Sequence, residues 1–83
     1  MHVITLYTRP GCQLCESIEQ VIVRVRRDID FDFVKRNILD DPADLKTYGE
    51  LIPVVLVDGR EVACYRMAES QLIAALQRKS TGV

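Results

Sequence analysis

This chain is constrained most by a pair of cysteines, Cys12 and Cys15, placed where a predicted strand turns into a predicted helix. The strand covers Val3–Tyr7, a short run rich in β-branched and aromatic residues. Pro and Gly within Thr8–Gly11 then signal a turn, because both residues break regular structure. A helical pattern begins at Gln13. The sequence therefore predicts a strand–turn–helix unit with both cysteines at the start of the helix.

The first helix is predicted from an apolar stripe that repeats with helical spacing. Its members are Leu14, Ile18, Val21, Ile22 and Val25. Glutamates in the early turns and arginines at the end of this segment suit the helix macrodipole. Cys15 lies on the stripe three residues before Ile18, so we expect Cys15 to be more buried than Cys12.

The middle of the chain predicts a second strand and a short helix. Residues Asp30–Arg36 alternate between polar and apolar types, which is typical of a strand. Asp41 is a favourable N-cap, and Pro42 suits the first helical position. A short helix is expected from there through Tyr48, with Gly49 as its C-terminal cap.

The C-terminal part predicts a β-hairpin and a last helix. The apolar strand Pro53–Val57 and its partner Glu61–Tyr65 are joined by Asp58-Gly59, a signal for a two-residue type I′ turn. The apolar positions of the last helix are Ala68, Leu72, Ile73 and Leu76.

The predicted element order is β-α-β-α-β-β-α. The first βαβ unit implies a parallel pair of strands with a right-handed crossover, and the hairpin adds an antiparallel pair. We therefore expect an α/β fold, a four-stranded mixed sheet flanked by three helices, formed by residues 1–83 as a single domain.

Thiol chemistry is the function that the cysteine pair predicts. Cys12 would occupy the N-cap region of the first helix, where free backbone N–H groups and the dipole stabilise a thiolate and lower the pKa of a cysteine. Cys12 is therefore the expected nucleophile, and the more buried Cys15 is the expected resolving thiol. Arg9, three residues before Cys12, could add positive charge beside the thiolate.

Two other interpretations of the cysteine pair compete with thiol chemistry. The cysteines could be inert core residues, or they could be half of a zinc site, for which only Cys64 and His2 remain as further ligands. Those two residues form no second ligand pair. A Cys-x-x-Cys beside a βαβ pattern favours redox exchange, so we expect neither a metal nor an organic cofactor.

Composition excludes several classes of partner. The formal net charge of −1 gives no electrostatic footprint for nucleic acid or an anionic membrane. No signal peptide and no run of about 20 apolar residues is visible, so we expect a cytoplasmic protein. Three cysteines are an odd number, which excludes a complete intrachain disulfide framework. We expect a monomer.

The order of these motifs resembles the glutaredoxin-like branch of the thioredoxin superfamily. The resemblance is carried by the strand followed by Thr8–Cys15 and by Ile52-Pro53-Val54 before the Asp58-Gly59 hairpin. It implies a thioredoxin-like fold in which Pro53 is cis and packs against the disulfide. It also implies that the backbone of Ile52 offers an N–H and a C=O to an extended substrate, as in strand addition.

The chain departs from glutaredoxins proper at two places. The dipeptide between the cysteines is Gln13-Leu14, where glutaredoxins often have Pro-Tyr. After the hairpin, the Gly-Gly turn and polar pair that hold glutathione are replaced by Cys64–Ala68, in which Arg66 could hold a carboxylate.

The resulting prediction is a thiol–disulfide oxidoreductase that transfers electrons through Cys12 and Cys15. Its partners would be a disulfide-containing protein or a small thiol, glutathione being one candidate, and a reducing system that recycles it. Two alternatives stay open at this point. One is a glutathione-linked or iron–sulfur-cluster-binding protein, and the other is a non-catalytic binding or adaptor domain that keeps the fold.

Four remaining features predict less. Cys64 is expected to pack in the core, with a third redox thiol as the alternative. For Tyr7, packing is favoured over a functional hydroxyl. His2 is a lone histidine near the terminus, and the basic cluster Arg24–Arg27 is explained by the helix dipole and solvation.

Overall fold

A computed structural model describes residues 2–77 of the chain. Its strands and helices are β1 (Val3–Thr8), α1 (Gln13–Arg26), β2 (Asp32–Asn37), α2 (Pro42–Tyr48), β3 (Val54–Val57), β4 (Arg60–Cys64) and α3 (Glu69–Gln77), with a short 3-10 turn at Ile38–Asp40. The predicted order of strands and helices and the predicted α/β fold class are confirmed. None of the helices in this part of the chain is long and apolar enough to cross a bilayer.

The four strands form one mixed sheet in the order β2-β1-β3-β4. Strands β1 and β2 are parallel, as the first βαβ unit requires, and the other two neighbouring pairs are antiparallel. Tyr7 near the end of β1 pairs with Val54 at the start of β3. The turn that follows β1 and the segment that precedes β3 therefore lie at the same end of the sheet.

The main core lies between one face of the sheet and helices α1 and α3. Its buried members are Ile4, Leu6, Ile18, Val21, Ile22, Val25, Phe31, Val55, Val57, Ala63, Met67, Leu72 and Leu76. Tyr7 points to the other face, because side chains alternate along a strand and Leu6 belongs to the core. The Tyr48 ring of α2 stacks on Tyr7, so α2 covers the second face at the β1 carboxyl end.

Local signals define the turns and caps as the sequence predicts. The Asp41 carboxylate accepts a hydrogen bond from the Ala43 N–H at 2.8 Å and caps α2. Asp58 and Gly59 have φ values of 52° and 84°, the two positive values that a type I′ turn needs. Strand β2 begins at Asp32, two residues later than predicted, and Phe31 just before it is buried in the core.

One member of the predicted apolar stripe, Leu14, is exposed and does not join the core. Leu14 is 44% exposed, whereas Cys15 beside it is only 2% exposed. The angular position of Leu14 on the helix is close to that of Ile18, so periodicity alone does not separate the two residues. Leu14 is exposed because it belongs to the first turn of α1, at the end of the core.

Candidate functional site

The cysteine pair lies at the N-terminus of α1. Cys12 is the N-cap residue, with extended backbone angles of φ −93° and ψ 106°. Its Sγ accepts a hydrogen bond from the Cys15 N–H at 3.1 Å, the bond that a serine hydroxyl makes at many N-caps. The two Cα atoms are 5.2 Å apart and the sulfurs are joined as a disulfide. This separation lies within the usual range for disulfides.

The two cysteines differ in exposure. Cys12 is half-buried, while Cys15 packs inside the protein with 2% of its surface exposed. The difference follows from position, because an N-cap side chain projects from the helix end and Cys15 turns toward the sheet. Only one of the two sulfurs is therefore open to a large reaction partner.

The loop between β1 and α1 holds Cys12 in this position. Thr8 ends β1 as a buried residue, and its hydroxyl donates to the Arg9 carbonyl at 3.5 Å, which is at the limit of a hydrogen bond. Gly11 has φ +78°, a left-handed conformation that glycine adopts without a Cβ clash. The sharp turn at Gly11 directs the chain into the N-cap.

A groove of about 360 Å³ lies beside Cys12 on the β2 side. It is lined by Thr8, Arg9, Pro10, Gly11, Cys12, Glu16, Glu19, Lys35, Asn37 and Asp40. Lys35 Nζ forms an ion pair with Glu19 Oε1 at 2.9 Å, which links β2 to α1 along the groove. The structure thus brings Arg9 and Cys12 to one surface, and it places acidic and basic side chains around them.

The segment before β3 lies on the other side of the cysteine loop. The Ile52–Pro53 peptide bond is cis, as the family resemblance implies, and Pro53 is fully buried. The Ile52 N–H donates to the Tyr48 carbonyl at 3.2 Å. Within residues 2–77, no backbone N–H bonds to the Ile52 carbonyl. A substrate strand would therefore find a free acceptor at Ile52, but it would compete with Tyr48 for the donor.

Tyr7 serves as a packing residue of this end of the sheet. Its ring stacks on Tyr48 with a centroid distance of 4.2 Å, and the Arg36 guanidinium lies 6.0 Å from the ring centroid. Burial, followed by the charges of Tyr48 and Asp44, raises the pKa of Tyr7 above its ordinary value. Its hydroxyl therefore stays protonated at neutral pH, in a stack on the α2 side of the sheet.

Two further candidate residues of the sequence lie at different ends of the sheet. Cys64 is a half-buried free thiol at the end of β4, where it pairs with Val54. His2 Nδ1 lies 2.5 Å from a carboxylate oxygen of Asp58, at the opposite end of the sheet. In the part of the chain that the structure describes, no three His, Cys, Asp or Glu side chains are grouped to hold a metal ion.

Tyr65, at the same end of the sheet as the cysteine loop, is not among the residues that the sequence singles out. Tyr65 follows β4 with φ +67°, which is rare for a residue with a side chain, and its hydroxyl donates to the Glu50 carbonyl at 3.0 Å. No local sequence pattern predicts the contact between Tyr65 and Glu50. The one available signal is that a tyrosine stands in the stretch where the resembled family has a glycine pair.

Comparison with known proteins supports the family and the fold. A family model described as Glutaredoxin-like domain (DUF836) matches residues 3–77. The uncharacterized protein Rv0508 of Mycobacterium tuberculosis is 27% identical over 84 residues, which cover 95% of this chain and 87% of that protein.

Solved structures give the same result. The crystal structure of target protein XcR50 from X. campestris is 31% identical, with a TM-score of 0.74, and the match covers 88% of this chain and 93% of that chain. A mutant thioredoxin from Halobacterium salinarum shares the fold at 20% identity, with a TM-score of 0.69 over 92% of this chain and 72% of its own. Together with the cysteine pair at disulfide distance, this fold indicates a redox function. The chain belongs to the glutaredoxin-like domain family (DUF836), and its fold is thioredoxin-like.

Proposed function

We propose that the protein is a thiol–disulfide oxidoreductase that works through Cys12 and Cys15. The observation that carries this proposal is the placement of the pair at the N-terminus of α1. One sulfur is accessible at the N-cap, and the other is buried within bonding distance of it.

Cys12 acts as the nucleophile. In the disulfide form its Sγ already accepts the Cys15 N–H, and the same bond stabilises a negative charge on that sulfur after reduction. The positive end of the dipole of the 14-residue α1 adds to this stabilisation. Arg9, exposed in the same loop, is the nearest cationic side chain along the chain.

The reaction is a balanced exchange of two electrons. The Cys12 thiolate attacks one sulfur of a substrate disulfide, which forms a mixed disulfide and releases the first substrate thiolate. Cys15 then loses its proton and attacks Cys12 Sγ, which closes the Cys12–Cys15 disulfide and releases the second thiolate. Two protons, one lost by Cys12 when its thiolate forms and one lost by Cys15, reach the departing thiolates through solvent. A thiol or dithiol donor reverses the sequence to regenerate the protein.

The Ile52–Pro53 segment would hold the substrate. Its position at the same end of the sheet as the cysteine loop and the free carbonyl of Ile52 support this role. An extended peptide would donate an N–H to that carbonyl and would accept the Ile52 N–H when the long bond to Tyr48 opens. The pair itself carries the electrons, so the exchange needs no additional cofactor.

Trapping of the mixed disulfide tests the proposal. The C15S variant lacks the resolving thiol, so we expect it to accumulate an adduct on Cys12 when mixed with a disulfide-bonded peptide. Mass spectrometry after alkylation locates the adduct, and C64S serves as the matched control that still turns over. An adduct on Cys64 would contradict the proposal that Cys12 is the nucleophile. The absence of any adduct, together with an inactive wild type, would contradict the proposed function and favour an adaptor domain.

A further inference from the structure

Tyr65 occupies a strained turn next to the substrate segment. Its N–H donates to the Pro53 carbonyl at 2.9 Å, which extends the β3–β4 pairing by one residue. The next N–H, that of Arg66, donates to the Cys64 carbonyl at 2.8 Å. These bonds close a three-residue turn in which the central Tyr65 has φ +67°, a γ-turn geometry that is rare and unfavourable for a residue with a Cβ.

The side chain of Tyr65 spans the segment that precedes β3. Its backbone is fixed at Pro53, and its hydroxyl is fixed at Glu50, three residues earlier in the chain. The ring must therefore lie alongside the intervening Leu51 and Ile52. The ring forms a wall beside this segment, and the hydrogen bonds to Pro53 and Glu50 hold that wall in place.

Exposed apolar side chains accompany this wall. Tyr65 is 44% exposed and Leu51 is 39% exposed, although both are large hydrophobic residues. Leu14, exposed in the first turn after Cys12, adds a third apolar side chain at this end of the sheet. This end of the sheet thus combines a backbone acceptor at Ile52 with exposed apolar side chains, which suits an extended polypeptide with an apolar side chain.

We propose that Tyr65 determines substrate specificity at the Cys12–Cys15 site. Its ring selects a disulfide whose half-cystine lies in an extended polypeptide next to an apolar residue, and it disfavours a small disulfide that carries several charges. An apolar side chain packs on the ring, whereas the carboxylates of a small charged disulfide would lose water against the ring face without gaining a partner there. This inference rests on the proposed function, since it assumes exchange at Cys12.

Arg66 is the competing feature, because it adjoins Tyr65 and a guanidinium binds carboxylates. If charge governed the choice of substrate, Arg66 would attract the carboxylates of a small disulfide. Substitutions at the two positions separate these explanations. The Y65G variant is suited to the test because glycine adopts a positive φ readily, so the backbone of the turn is kept.

The experiment compares kcat/KM for two probes in wild type, Y65G, Y65F and R66A. One probe is a peptide disulfide with leucine beside its cysteine, and the other is oxidised glutathione. We expect wild type to prefer the peptide and Y65G to reduce the preference by about tenfold, chiefly through KM for the peptide. Y65F should keep most of the preference because it retains the ring. The V23A variant, which changes an exposed apolar residue on α1, is the control for general effects.

Alkylation of reduced Cys12 by iodoacetamide provides the second readout. The rate should be the same in wild type and Y65G within about twofold, because Tyr65 acts on substrate choice and not on the thiol. An unchanged preference in Y65G, or a preference that shifts only in R66A, would overturn the inference while leaving the proposed function in place. A wild type inactive on both probes would overturn both.

Discussion

The two ends of the sheet use the same kind of bond for different purposes. At the β1 carboxyl end, the Cys12 sulfur accepts a backbone N–H and caps α1. At the opposite end, the Asp58 carboxylate accepts the Val3 N–H at 2.8 Å and contacts His2. The surroundings differ. The first end exposes apolar side chains and has the Ile52 carbonyl, to which no backbone N–H of residues 2–77 donates, whereas the second end is a tight two-residue turn. A side-chain acceptor for a backbone N–H thus caps the helix that carries the proposed nucleophile at one end, and it joins β1 to the β3–β4 turn at the other.

The largest expected effect is the loss of activity in C12S. A serine hydroxyl is a poor nucleophile at neutral pH, so disulfide turnover should fall by ~10³-fold or more. Serine is also a favourable N-cap, so the free energy of unfolding of the reduced protein should change little. Turnover of a peptide disulfide and urea unfolding under reducing conditions measure the two effects. A C12S protein with substantial turnover would show that the nucleophile lies elsewhere.

Alanine substitutions at two glycines, one at each end of the sheet, compare the two ends directly. Gly11 and Gly59 have φ values of +78° and +84°, and a Cβ at either position would meet no atom within 4 Å. G11A and G59A should therefore each lower the free energy of unfolding by about 1 kcal/mol, through backbone conformation alone. Only G11A should also slow disulfide exchange, because Gly11 directs the chain into Cys12. Equal activities in the two variants would contradict the distinction between the ends.

Removal of the Asp58 carboxylate should weaken the hairpin end alone. D58N keeps a residue that tolerates positive φ but loses the charged acceptor for the Val3 N–H. Because the site is exposed to solvent, we expect a loss of only about 0.5 kcal/mol in the free energy of unfolding, measured by urea denaturation. Activity on a peptide disulfide should be unchanged. A drop in activity equal to that of G11A would mean that the ends are coupled.

The pH dependence of stability should carry a small contribution from each end. Hydrogen bonds from the Val3 backbone and from His2 lower the pKa of Asp58 below its usual 3.8. The folded state then binds that proton more weakly, so this contribution is present above about pH 4 and is lost as the pH falls through the lowered value.

Tyr7 gives the opposite dependence. Burial raises its pKa above the usual 10.0, so its contribution is present below pH 10 and is lost as the pH rises beyond it. Thermal unfolding across both ranges should show the acidic component disappear in D58N and the alkaline component disappear in Y7F. Retention of either component in its variant would show that another group is responsible.

The sequence predicts the elements with local signals and misses the contacts that tertiary packing creates. The residue types in Asp41-Pro42 and Asp58-Gly59 favour a helix start and a type I′ turn, and both features are found where they are predicted. The exposure of Leu14 could not be predicted, because it depends on where the core ends and not on helical periodicity.

The same limit applies on the substrate side of the site. The cis bond at Pro53 follows from the family resemblance, since an isolated X–Pro bond favours trans. The contact of Tyr65 with Glu50 depends on two segments that are 15 residues apart in sequence. Such a contact leaves no periodic pattern, so only the structure reveals the wall beside Ile52.

We propose that position on α1 makes Cys12 reactive and keeps Cys15 buried. Limited alkylation of the fully reduced protein by iodoacetamide, with fragmentation mass spectrometry to locate the label, tests this directly. We predict that Cys12 is labelled at least about ten times faster than Cys15 and Cys64, and that it still reacts at about pH 6.5, where an ordinary thiol is protonated. Equal labelling of Cys12 and Cys15, or faster labelling of Cys64, would contradict the claim.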